Sequence, residues 1–361
     1  MHPLKVFLTR SQAWLFLFGL GLLSAVTATA SDIQGGERPN VLFIAADDLN
    51  DWTGFLKGHP SARTPNLDRL ANRGVAFTKA YCSAPACNPS RTSLLTGVQP
   101  STSGVYHNDQ PWRPVLPDAV TLPQYFQKAG YRVVGGGKIF HNSYHDAVSW
   151  DQWHALSKND HPTPKNHPVN GIEGAAHFDW GPVDVPDEAM GDHKTVSRAI
   201  EFLDQKQNQP FFLAVGLIRP HLPWYVPQKY FDAFPLDGIV RPEVKTDDLS
   251  DIPAAGLAIA KPNGDHRKVV QADQWDKAVQ GYLASIAFAD AEIGRLLDAL
   301  DASPHAKNTI IVFWGDHGWH LGQKEHWRKF ALWEEATRVP LIVVAPGVTQ
   351  PNTRSGRTVS L

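Results

Sequence analysis

Cysteine is nearly absent: the 361 residues hold two, Cys82 and Cys87. So few exclude the disulfide framework on which small exported domains rely, and their spacing fits neither a zinc site nor a Cys-x-x-Cys redox pair. A local disulfide between them is the plain alternative to free thiols. An excess of one charge is missing too. With a net charge of -2 and a pI near 6.8 there is no basic surplus to attract nucleic acid or an anionic membrane surface. Internal repeats and low-complexity tracts are also lacking. The amino-terminal apolar run, Ala13 to Val26, is about 14 residues, short of the roughly 20 a bilayer span needs. Preceded by Lys5 and Arg10 and followed by Ala28, Thr29 and Ala30, it reads as a secretory signal peptide over residues 1–30. The expectation is an exported protein with no stable membrane insertion after cleavage and one large domain over 38–361; an uncleaved anchor is the alternative.

What is present is strand-then-polar punctuation. Val41 to Ala46 is continuously apolar, as in a strand buried on both faces, and ends at Asp47 and Asp48. Phe211 to Gly216 ends near Arg219 and His221, and Thr309 to Trp314 is followed at once by Asp316 and His317. Pro340 to Val344 is a possible fourth strand. Helical spacing marks Leu67 to Ala71, Thr121 to Ala129, Ala189 to Leu203 and Trp275 to Leu300. Pro89 opens a further helix that stops at Gly97. Arg132 to Gly135 reads as a short strand entering a glycine turn, Gly135 to Gly137, just before Lys138. This alternation predicts an α/β fold with a large, mostly parallel central sheet between helices, whose ligands gather at the strands' carboxyl ends.

Asp47, Asp48, Asp316 and His317 then converge if their strands are neighbours. Three carboxylates suit calcium or magnesium, while the histidine nitrogen fits zinc or manganese better. Turn or cap chemistry is the competing reading for the aspartate pair. Cys87 lies just before a helix start, where free N–H groups favour anions, and Arg91 adds charge about one turn in. On these residues alone Cys87 is either an activated thiol or a buried structural one.

Cys87-Asn-Pro-Ser-Arg91, followed by Leu95-Thr-Gly97, resembles the signature of the formylglycine-dependent sulfatases of the alkaline-phosphatase superfamily. Asn88 is the one departure, standing where a small residue is usual. Blocks at Arg38 to Ile44, Gly137 to His141, Arg219 to Pro223, Gly315 to Gly318 and Trp327 to Lys329 follow in the family's order. Their forms are most similar to the iduronate-2-sulfatase branch.

The resemblance implies an alkaline-phosphatase-like fold and one calcium ion held by Asp47, Asp48, Asp316, His317 and a formylglycine made from Cys87 by a maturase enzyme. It implies that Arg91 orients the formylglycine, that Lys138 and Lys329 hold sulfate oxygens, that His141 is the base and that His221 protonates the leaving alcohol. A sulfated carbohydrate is the expected substrate, with Trp112, Trp150, Trp153, Trp180 and Trp224 as candidate sugar-stacking faces. Family members continue past the point matched by Leu361, so a carboxy-terminal subdomain is expected to be missing, with Thr358 to Leu361 the opening of an element cut short. The competing functions are a phosphatase or phosphodiesterase of the same superfamily, and a non-catalytic sulfated-glycan binding protein or inactive fragment.

Overall fold

Asn40–Ala46 is buried along its whole length and lies between two parallel neighbours, Phe211–Leu217 and Thr309–Gly315. This is a computed structural model, and it describes residues 38–361 apart from 142–143, 158–159 and 175–176. The expected signal peptide over residues 1–30 lies outside the described residues.

The central sheet has eight strands. From one edge they run Thr353–Ser360, Val75–Tyr81, Arg338–Val344, Thr309–Gly315, Asn40–Ala46, Phe211–Leu217, Arg132–Gly137 and Gln152–His154. Arg338–Val344 is antiparallel to both its neighbours and every other pairing is parallel. The expected mostly parallel α/β sheet is therefore present.

Alternation along a strand sends side chains to opposite faces, and both faces here are covered. Leu42 and Ile44 pack in the cluster that holds Leu283, Ile286 and Ile293 of the 28-residue helix Trp275–Ala302, with Val196 and Leu203 of Gly191–Leu203. Val41 and Phe43 face the other cluster, with Leu95 and Trp112. The parallel strands end together, so Asp47, Lys138, Ile218 and Asp316 emerge along one side of the sheet. No helix among the described residues is long and apolar enough to cross a membrane.

Several local readings need correction. The helix expected from Pro89 spans Cys87–Thr96, with Ala86 as its extended cap, so Cys87 lies in its first turn. Pro89 is tolerated there because the first-turn N–H groups have no intrahelical partner anyway. The glycine triplet is strand, not turn: Gly135 lets the Trp150 ring lie against the backbone, where a Cβ would approach it to 2.5 Å. Thr358, Val359 and Ser360 belong to a strand that begins at Thr353, and the residues of Thr353–Ser360 are polar apart from Gly356 and Val359, so this edge exposes no apolar strip. Trp112, Trp150, Trp180 and Trp224 are buried in the core, not displayed for sugars; Trp180 and Trp224 stack with centroids 5.5 Å apart. Trp153 is half-buried, stacked on His145.

Candidate functional site

Four strand ends and one helix start build the site. Cys87 Sγ, fully buried, lies 3.2 Å from His317 Nε2, 3.1 Å from Lys329 Nζ, 3.8 Å from Lys138 Nζ and 3.5 Å from Asp47 Oδ1. It is a free thiol, as is Cys82, whose Sγ turns to the Ala336 carbonyl, so the two are not a disulfide.

Three buried carboxylates, Asp47, Asp48 and Asp316, face three buried cations, Arg91, Lys138 and Lys329. Lys138 Nζ pairs with Asp47 Oδ2, and Lys329 Nζ with Asp48 Oδ1 at 2.6 Å. Arg91 donates from Nε to Asp316 Oδ2 at 2.8 Å and from Nη1 to the carbonyls of Lys138 and Ile139, with Nη2 3.4 Å from Asp47 Oδ1. Its guanidinium thus holds the carboxylates and the Lys138 backbone, and no hydrogen bond joins it to Cys87. Lys138 follows Gly137, whose φ of +72° and whose approach to the Gly216 carbonyl leave no room for a side chain.

Burial and the Asp47 charge both push the Cys87 thiol up, but Lys138, Lys329 and His317 outweigh them and hold it below its ordinary value. Burial, with Lys138 beside it, lowers His141 to about 4, so its ring is neutral near pH 7. Burial with Lys138 and Lys329 lowers His221 well below its usual value. Burial opposes charge on His317 as well, yet Asp316 raises it to about 9.

Whether these residues suit a metal ion is tested by three features. Ligand atoms of Asp47, Cys87, Asp316 and His317 all lie within 4.8 Å of one another, and Asp47, Asp48, Cys87 and His221 form a second such group. Asp48 Oδ2 is buried with no hydrogen-bond donor among the described residues. Burial also raises the Asp48 carboxyl to about 7 even with Lys329 against it. A carboxylate under-compensated by its neighbours, on a backbone held at φ +63°, fits a hard divalent cation. The donor set therefore fits a metal.

All ten residues assigned from sequence thus fall in one region, since His141 follows Lys138 closely and His221 Nε2 is 3.8 Å from Asp48 Oδ2. Sequence reasoning missed the supports. Tyr282 Oη donates to the Asp48 carbonyl at 2.7 Å and accepts from Asn50 N–H. Ser90 Oγ donates to the Asp316 carbonyl at 2.5 Å. Asp192 accepts from the N–H groups of Ile218 and Arg219, both at 2.8 Å, which fixes the turn carrying His221. Asp192 in the first turn of its helix carried a weak signal, whereas Tyr282 reads in sequence only as part of an apolar stripe.

Asn88, the departure from the usual signature, is buried and donates from Nδ2 to the carbonyls of His107 and Gln110 at 2.9 and 2.7 Å. It ties the helix start to the adjacent loop.

The sulfatase family model matches residues 39–360. A sulfatase of Formosa agariphila is 42% identical over 93% of this chain and 70% of its own length. Human iduronate 2-sulfatase is 34% identical over 94% of this chain and 66% of its own length. Among solved structures, the phosphonate monoester hydrolase of Agrobacterium radiobacter superposes with a TM-score of 0.72 at 23% identity, covering 90% of this chain and 71% of that one, which shows the shared fold. A family match that begins one residue before the central strand and ends on the last residue of the edge strand takes in every residue of the cluster: this chain belongs to the sulfatase family, a family of sulfuric ester hydrolases.

Proposed function

We propose that this chain hydrolyses a sulfate ester of a carbohydrate, in the manner of the iduronate-2-sulfatase branch, with formylglycine at position 87 and one calcium ion. The observation that carries this is the place of Cys87, in the first turn of its helix and within reach of two lysines, a histidine and a carboxylate.

Formylglycine at position 87, made by a maturase, supplies an aldehyde hydrate as the nucleophile. Asp47, Asp48, Asp316, His317 and residue 87 would hold calcium, which would supply Lewis-acid polarisation of the sulfate and lower the pKa of that hydrate. Lys138 and Lys329 bind sulfate oxygens as the S–O bond breaks, and Arg91 keeps the carboxylates and Lys138 in register. His221 gives its proton to the leaving alcohol oxygen; burial, with the two lysines, holds its pKa low, and a bound anionic sulfate opposes the lysines' share. His141, neutral near pH 7, takes the proton from the second hydroxyl at position 87, which releases inorganic sulfate and restores the aldehyde. The amino-terminal sequence pattern supports export of the protein.

The test is mass spectrometry of the Cys87 peptide from protein coexpressed with a maturase, together with assays of 2-sulfated uronates, algal glycan sulfates and aryl sulfates in calcium. Aldehyde and sulfate release are expected. An unmodified cysteine, or turnover of an aryl phosphate with every sulfate ignored, favours the phosphatase reading, whose fold the phosphonate monoester hydrolases share.

A further inference from the structure

Lys329 is the middle residue of an alternating segment. Arg328 and Phe330 on either side take left-handed backbone, at φ +76° and +70°, a conformation that is costly for non-glycine residues and collects at functional sites. Its effect is directional: Lys329 turns in to Cys87 and is 5% exposed, while Phe330 turns out and is 54% exposed. Arg328 and Phe330 line a cavity of about 540 Å³ with Lys261, Asp265 and Trp327, and Lys329 forms part of the same wall. The cavity therefore adjoins the site through a residue common to both.

Its charge is uneven. Lys261 and Arg328 bring positive charge to it, and Asp265 is the one carboxylate in the lining. Arg328 is held by Nε donating to Asp265 Oδ2 at 2.6 Å and by its guanidinium lying 4.7 Å over the Phe178 ring. Both its Nη groups and the Lys261 ammonium make no hydrogen bond or ion pair among the described residues. A guanidinium oriented through one donor with its outer edge uncommitted is suited to grip a planar carboxylate or a sulfate. The exposed Phe330 adds an apolar face against which a sugar ring can lie.

We propose that this cavity is a second anion subsite, specific for a sugar that carries a carboxylate or another sulfate besides the ester being cleaved. Arg328 and Lys261 are its recognition residues, and the inference rests on the sulfatase reading of Cys87 and Lys329. Neutral sulfated sugars and simple aryl sulfates leave it unused.

Binding tests it apart from turnover. Full-length Cys87→Ala protein in calcium is titrated calorimetrically with three matched disaccharides: one carries a uronate carboxylate, one a sulfate on the unit that would enter the cavity, and one neither. Each anionic disaccharide is expected to bind about tenfold or more tighter than the neutral one, as charged hydrogen bonds of this kind allow. The ratio between the two shows which anion the subsite prefers. Lys261→Gln with Arg328→Gln is expected to erase the preference, and Arg328→Lys to restore part of it. If the double variant fails to fold, Lys261→Gln alone, at an exposed position, is expected to lose part of it. Equal affinity for all three sugars, or a preference intact in the variants, overturns the proposal. Hydrolysis of 4-nitrophenyl sulfate by matured protein with Cys87 intact tests the sulfatase reading separately; a binding preference without that turnover refutes the reading and leaves the anion site standing.

Discussion

Lys329 Nζ lies 2.6 Å from Asp48 Oδ1, with both side chains almost wholly buried. Removing one partner of such a pair leaves the other charge uncompensated, which costs about 3–5 kcal/mol. Lys329→Met is therefore expected to destabilise the protein in chelator and to recover part of the loss in calcium, because the proposed ion would also face Asp48. Urea unfolding of both proteins with and without calcium checks this. An equal loss in both conditions would separate Asp48 from the metal.

Arg91 touches two proposed metal ligands and the backbone beside Lys138, so its substitution acts through them. Arg91→Lys keeps the charge but cannot span these acceptors. A fall of about 10- to 100-fold in calcium affinity or in kcat/KM is expected, the usual range for residues behind metal ligands. Calcium titration of activity reads it; an unchanged midpoint and rate would remove Arg91 from this role.

His320 gives a pH dependence away from the buried carboxylate cluster. Burial, with His326 nearby, lowers it to about 3 from an ordinary 6.5. Between those values the unfolded chain holds a proton that the folded chain does not, so stability falls as pH falls. His320→Gln should show a shallower loss of unfolding free energy from pH 7 to pH 4 than the parent. Parallel curves would mean that the folded histidine titrates normally.

The tryptophans supply a contrast in readout. Trp224 is fully buried, stacks on Trp180 and donates to the Pro220 carbonyl at 2.7 Å. Trp224→Ala is expected to cost about 3–5 kcal/mol of stability, as large-to-small changes in a core do. The half-buried Trp153 is expected to cost less. A variant at Trp224 with parental stability and a raised KM would return it to the sugar-binding role.

Gly137 carries a backbone requirement. A Cβ there would sit 2.0 Å from the Gly216 carbonyl, and φ is +72°. Gly137→Ala should displace Lys138, with kcat/KM falling more than the thermal midpoint. Unaltered kinetics would show that Lys138 tolerates the shift.

The sequence by itself determined the parallel core and the list of residues proposed for the site. Asn40–Ala46, Phe211–Leu217 and Thr309–Gly315 are legible because strands covered on both faces must be apolar throughout, and the charged residues after them stand out as interruptions. The signature around Cys87 named the chemistry. Only the tertiary structure decided how those charges pair, since contacts such as Arg91 with Asp316 join residues 225 apart in the chain. The same holds for Val75–Tyr81 and Thr353–Ser360, strands held by backbone pairing and partial cover rather than by an apolar run. It holds for the tryptophans too, which look alike in sequence whether a loop displays them or a helix covers them. Charge partners, edge strands and exposure depend on which surfaces meet, and that is a property of the packed sheet and helices rather than of any one segment.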